Sequence, residues 1–216
     1  MKVERILVTG FEPFGGEAIN PSWEVAQALH GQQRGGAVVT AVQLPCVFAQ
    51  SLPALRTAIR RHRPQVVLCL GLAGSRSAIS LERVAVNLCD ARIPDNAGAQ
   101  PAGTPVVAGG PAAYFTRLPV KALVQRLLAA GLPAELSLSA GSFVCNQVMY
   151  GLLHALRRQP GVAAGFIHLP PLPEQAAAHP GSRPLALADQ RRGVALVLDA
   201  LAQGVAELQV AAGQTD

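Results

Sequence analysis

Short apolar runs alternate along the chain with longer stretches in which apolar residues recur every three or four positions. Residues 5–9 form an unbroken run, Arg5-Ile6-Leu7-Val8-Thr9, that stops at Gly10, the form of a buried first strand. Asn20-Pro21 then opens a helix, with Asn20 as N-cap, Pro21 in the first helical position and Trp23, Ala26 and Leu29 following as far as Gly31. A second strand is predicted over 37–44 and a second helix over 47–62, where Leu52, Leu55 and Ile59 fall on one face. Residues 65–70 read as a third strand. Residues 79–87 alternate strictly and read as a fourth strand, carrying one carboxylate, Glu82. A helix over 119–128 closed by Gly131, a strand over 134–139, a strand running from 164 to His168 and a long helix over 185–208 complete the pattern.

Three stretches break the alternation. Residues 10–22 hold Phe11 and Phe14 between glycines and prolines, so two large apolar rings must either plug the core or wall a ligand pocket. Residues 89–118 show no clear periodicity and much Pro, Gly and Asn; a segment of that length inside a compact domain is usually functional or mobile. Residues 169–184 are a Pro-rich loop. Gly71-Leu72-Ala73-Gly74-Ser75-Arg76 follows a strand but lacks the Gly-Lys-Ser/Thr ending of a phosphate loop, so its glycines are read as a sharp turn or a close approach to a ligand.

Strands and helices in alternation predict an α/β fold: a three-layer α/β/α sandwich around a largely parallel mixed sheet, in one domain spanning 1–216. Ligands of such sheets bind beyond the carboxyl ends of the strands, a rim that would gather Phe11, Phe14, Gly71, Cys145 and His168. The stretch from Ser139 to His154 reads as strand, tight turn, helix, and sets Cys145 near a helix N-terminus. There the unpaired N–H groups and the macrodipole favour a thiolate and could hold an oxyanion. His168 would leave its strand on the same rim if the two strands were parallel neighbours, and so stand as a base for Cys145. A small buried cysteine and a hydrogen-bonded strand-end histidine satisfy the same pattern.

Composition narrows the classes. Half of the 216 residues are hydrophobic but only 4% are aromatic, so the core must be built from Val, Leu, Ile and Ala, as in doubly covered sheets. The net charge of +5 comes from scattered arginines with no basic tract interleaved with aromatics, which argues against nucleic acid. Cys46, Cys69, Cys89 and Cys145, spaced 23, 20 and 56 apart, match neither a zinc knuckle nor a disulfide framework and are expected to be reduced thiols. The start, Met1-Lys2-Val3-Glu4-Arg5, leads straight into a strand too short for a signal segment or a membrane span, which predicts a cytoplasmic protein without membrane attachment.

At four places the chain resembles the pyroglutamyl-peptidase I (pyrrolidone-carboxylate peptidase) family: Gly10 to Gly16 through Asn20-Pro21-Ser22; Gly71 to Arg76 with Leu81 to Asn87 and Asp90 to Asn96; Ser139 to His154; and Phe166 to Pro170 through Leu172 to Gln175. The stretches occur in the family's order. The resemblance implies a phosphorylase/hydrolase-like sandwich and a cysteine exopeptidase that removes an N-terminal 5-oxoprolyl residue through a thioester. It implies Cys145 as nucleophile, His168 as base, Glu82 as the carboxylate orienting it, and Arg92 as an oxyanion contact. Phe11, Phe14, Ile93, Phe143 and Val144 match the hydrophobic pocket, with Leu72 and Asn20 beside the lactam. Leu72 stands where many members carry Gln, and Cys46 where many carry Thr. No metal or cofactor is implied, and a homotetramer is. Two rivals stay open: a cysteine amidase releasing ammonia from a carboxamide, and a binding protein that keeps the pocket without turnover.

Overall fold

The computed structural model describes residues 2–212; Met1 and the last four residues, the outermost parts of the predicted 1–216 domain, lie outside the described residues. Nine strands and five helices follow one another as β1 Arg5–Phe11, α1 Pro21–Leu29, β2 Gln33–Arg34, β3 Ala37–Leu44, α2 Phe48–His62, β4 Val66–Leu72, β5 Ile79–Glu82, β6 Val84–Val86, β7 Ala113–Phe115, α3 Val120–Ala129, β8 Ala134–Ser137, α4 Val144–Ala155, β9 Ala163–Leu169 and α5 Leu187–Ala202.

Seven strands make one sheet in the order β2-β3-β1-β4-β9-β5-β8. The pairs β1/β3, β1/β4, β4/β9 and β5/β8 are parallel, whereas β2 on β3 and β5 on β9 are antiparallel. Both faces are covered, so the central strands β1, β4 and β9 are buried on both sides rather than alternating. On one face Ile6, Val8, Leu68, Leu70 and Ile167 pack against α1, α3 and α5; on the other Leu7, Val67, Cys69 and Phe166 pack against α2 and α4. This is the expected α/β/α sandwich.

The N-cap reading of Asn20 is observed: its Oδ1 accepts from the N–H of Ser22, with Pro21 opening α1. The same turn brings α1 hard against β1 at Gly10, where an added Cβ would stand 2.3 Å from the Ser22 carbonyl oxygen, so only glycine fits. The second helix has no side chain of its own at the N-terminus. Instead Asp95, 47 residues away, accepts the N–H of Phe48 through Oδ2 at 2.8 Å and those of Ala97 and Ala99 through Oδ1. Burial works against the charge of Asp95, but these backbone donors outweigh it and hold its carboxyl below the ordinary value.

Three expectations change. The predicted strand over 79–87 is two strands: β5 belongs to the large sheet, and β6 leaves it to form a separate hairpin with β7. Arg83 is the break, giving its N–H to Ser137 O and accepting that of Thr116. The 89–118 stretch is therefore not wholly irregular, since it contains β7 and an isolated bridge between Cys89 and Thr104. The last helix ends at Ala202, not 208, because Gly204 turns left-handed at φ 71°. Among the described residues no helix is long and apolar enough to cross a membrane.

Candidate active site

Strand β9 is the pivot. Its His168 lies in register with Gly71 of β4 on one side and Ser80 of β5 on the other. Residues two apart share a face, so Glu82 comes up on the same side of the sheet as His168. Its Oε1 lies 2.8 Å from His168 Nδ1. An ionised carboxylate only accepts, so Nδ1 is the donor of this hydrogen bond and Nε2 is the nitrogen left for other work. Glu82 is fully buried, and Arg76 Nη2 stands 3.8 Å from the same Oε1.

Cys145 arrives by a different route from the one foreseen. The strand before it, β8, is neither a neighbour of β9 nor parallel to it; β5 lies between and runs with β8 against β9. The loop after β8 returns over the sheet, and α4 sets the thiol above Gly71. A Cβ built on Gly71 would stand 3.0 Å from Cys145 Sγ, so glycine leaves the room the sulfur occupies. Since Gly71 is in register with His168, thiol and imidazole share one floor, and both line the same groove.

The first turn of α4 keeps its donors. Phe143 at the N-cap has no side chain to offer, and the Ser142 hydroxyl is turned away to donate to Asp90 O. The pull of the helix N-terminus toward a thiolate is opposed by the surroundings of the sulfur. Burial pushes the Cys145 thiol well above its ordinary value, Cys46 and Glu82 add to the rise, and the backbone N–H of Cys145 offsets only part of it. These surroundings disfavour a standing thiolate, so the proton calls for a base.

Two cavities meet at this sulfur. The smaller, about 110 Å³, is walled by Phe11, Phe14, Ile19, Leu72 and Phe143, with Glu17, Asn20 and Cys46 also on it. Its aromatic rings interlock: Phe143 sits 5.2 Å from Phe14 and 5.1 Å edge-on to Phe48, while Phe11 packs 6.4 Å from Phe166. The two loop phenylalanines are thus core plugs and pocket walls at once. The larger cavity, about 350 Å³, runs past His168, Ala73, Ser75, Arg76 and Ser139 to Gly141.

Not every expected residue is on these walls. Val144 is fully buried in the core under α4, because its side chain points to the sheet while Phe143 and Cys145 point to the cavity. Arg92 and Ile93 are exposed and line neither cavity. Their turn is tied down on both sides, at Ala91 to Pro101 O and at Asp95 to α2, and the residues between project outward. Asn20 reaches the small cavity, but both lone pairs of its Oδ1 are taken by Ser22 and one Nδ2 hydrogen by Glu12 O. Sequence reasoning missed Glu17 and Arg76. Glu17 brings a carboxylate to a cavity expected to be mostly apolar; Gln175 Nε2 donates to its Oε2 at 3.1 Å, and His179 Nε2 stands 3.1 Å from its Oε1. Arg76 lay at the end of a quoted motif, and no periodicity signals its direction.

Sandwich, cavity-lining thiol and imidazole–carboxylate pair define the class: an α/β cysteine hydrolase with a small, ring-walled specificity cavity. Comparison with known proteins makes the class particular. The family model described as pyroglutamyl peptidase matches residues 4–204, and the chain belongs to that family. It is 58% identical over 197 residues to a pyrrolidone-carboxylate peptidase of Gloeobacter violaceus, covering 91% of this chain and 96% of that one. A namesake from Escherichia fergusonii is 52% identical over 213 residues, covering 99% and 100%. The crystal structure of pyroglutamyl peptidase I from Bacillus amyloliquefaciens superposes with a TM-score of 0.93 at 42% identity, over 98% of this chain and 100% of that one.

Proposed function

We propose that Cys145, His168 and Glu82 carry the family's reaction, removal of an N-terminal 5-oxoprolyl residue from a peptide, and that the ring seats in the 110 Å³ cavity. The chain is a cysteine-type omega peptidase by family. The observation that carries the assignment of roles is the Glu82–His168 hydrogen bond on the cavity floor that Cys145 shares. His168 Nε2 takes the Cys145 proton as sulfur attacks the oxoprolyl carbonyl, then gives it to the leaving amine; water releases the acyl group from the thioester. Taking the proton during attack suits a thiol whose burial disfavours a standing thiolate. The open N–H groups of the first turn of α4 hold the oxyanion, each well-placed donor contributing about 3 kcal/mol. A flat, neutral lactam matches the phenylalanine walls, and the peptide beyond the scissile bond leaves through the larger groove.

The test is hydrolysis of a fluorogenic 5-oxoprolyl amide beside the free-amine prolyl amide, with Cys145→Ser. Cleavage of the first alone, lost in a folded variant, supports the reading; turnover retained in Cys145→Ser removes the nucleophile assignment. We further infer a single peptidase domain in the cytoplasm, where the four free thiols stay reduced, assembled as a homotetramer. Exposed apolar side chains such as Phe115 favour association, and light scattering measures the assembly.

A further inference from the structure

Glu82 poses an electrostatic problem. Its side chain is fully buried, Oε1 serves His168, and Oε2 has no hydrogen-bond partner. A buried carboxylate without a counter-charge takes up a proton or holds one on its imidazole partner. Either result removes the base. Among the described residues the only Lys or Arg within ion-pair distance of Glu82 is Arg76. Its guanidinium is fixed from three sides: Nη1 donates to Glu135 Oε1 at 3.0 Å, and Nη2 donates to Ser137 Oγ at 2.8 Å and to Ser139 O at 3.3 Å. Glu135 is itself steadied by the Ser80 hydroxyl, 2.6 Å away, and Ser80 is the register partner of His168.

We propose that Arg76 is a positioning residue of the active site, an anchored counter-charge that keeps Glu82 ionised while His168 is neutral, so that the imidazole can accept the thiol proton. This rests on the assignment of His168 as base. The titratable and charged groups around His168 are Glu82 on β5, Cys145 on α4, Arg76 in the β4–β5 turn and Glu135 on β8 behind it, with Cys46 and Cys69 next to Cys145. Removing the cation leaves the carboxylate to hold a proton on the imidazole. Removing Glu135 leaves the cation stronger.

The experiment follows the His168 imidazole by ¹H–¹⁵N NMR as a function of pH, beside the pH profile of kcat/KM on a 5-oxoprolyl amide. Arg76→Gln is expected to raise the His168 midpoint by about one unit, and Glu135→Gln to lower it by a smaller amount. In the kinetics Arg76→Gln loses about tenfold in kcat/KM below the shifted limb and recovers above it, while Arg76→Lys, which keeps charge but not the fork, shifts less. An unmoved His168 midpoint in folded Arg76→Gln, or a loss equal at every pH, overturns the proposal. If Arg76→Gln does not fold, the opposed shifts of Arg76→Lys and Glu135→Gln decide in the same way. The NMR midpoint does not depend on turnover, so a failure of the peptidase reading shows separately, as wild-type silence on the substrate.

Discussion

Replacing Gly71 by alanine strikes the site at its floor. The backbone tolerates a side chain there, since Gly71 is not in the left-handed region; the obstacle is space. The new Cβ would lie 2.8 Å from Cζ of Phe166 and 3.0 Å from Cys145 Sγ, about 0.6 and 0.4 Å short of ordinary contact at 3.4 Å. Neither neighbour yields freely. Phe166 is fully buried, and its ring lies 4.8 Å from that of His168, so pushing it disturbs the base as well as the nucleophile. Overpacking of this size costs about 1–3 kcal/mol, a fall of about 2–12 °C in Tm for a chain of this length. Misplacing reacting groups costs about a hundredfold per ångström, so shifts of this size should lower kcat/KM by about 6- to 16-fold. The assays are cleavage of a fluorogenic 5-oxoprolyl amide well below the variant's Tm, and alkylation of Cys145 by iodoacetamide, both against wild type. Full activity in folded Gly71→Ala would refute the placement of the thiol over β4.

Gly10→Ala should give no soluble folded protein, because its Cβ meets backbone atoms of Ser22 and Trp23 within 2.5 Å and no side chain can turn aside; expression and circular dichroism check it. Asp95→Ala should cost about 1–2 kcal/mol at neutral pH through loss of the cap on α2. Because folding lowers the Asp95 pKa, its contribution is whole above the ordinary carboxylate value and fades as pH falls through the folded one. Denaturant midpoints of wild type and variant should therefore converge in acid. Arg92→Ala should leave kcat within about twofold, since an exposed side chain off both cavity walls supplies no oxyanion contact of the usual magnitude. Glu17→Ala should raise KM more than it lowers kcat, as it alters the wall of the small cavity and not the thiol.

The layers, most element bounds and the Asn20 cap were legible because they rest on local periodicity and local hydrogen bonds. Strand order was not. An alternating run such as 79–87 looks the same whether it stays in one sheet or crosses to another at Arg83, and nothing in 134–139 shows that β8 runs against β9. Cys145 and His168 still meet, because α4 carries the thiol back across the sheet face. The electrostatics of the thiol were half legible for a related reason: a helix N-terminus is visible in sequence, whereas the burial that opposes it is a property of the whole packing. For Val144, buried under α4, and Arg92, exposed outside both cavities, the sequence carried a place in a motif and not the direction of the side chain.

The place of β9 in the sheet has a consequence for biosynthesis. Among the described residues it is the last strand to be made, yet it sits between β4 and β5 and joins the two sets of strands already formed. Until residues 163–169 leave the ribosome, β4 and β5 each present an open edge, one to parallel and one to antiparallel pairing. Insertion of β9 closes both edges and, in the same event, delivers His168 to Glu82 across 86 residues of chain. A nascent chain released before this point is therefore sticky and inactive together, and catalytic competence reports completed synthesis of the sheet.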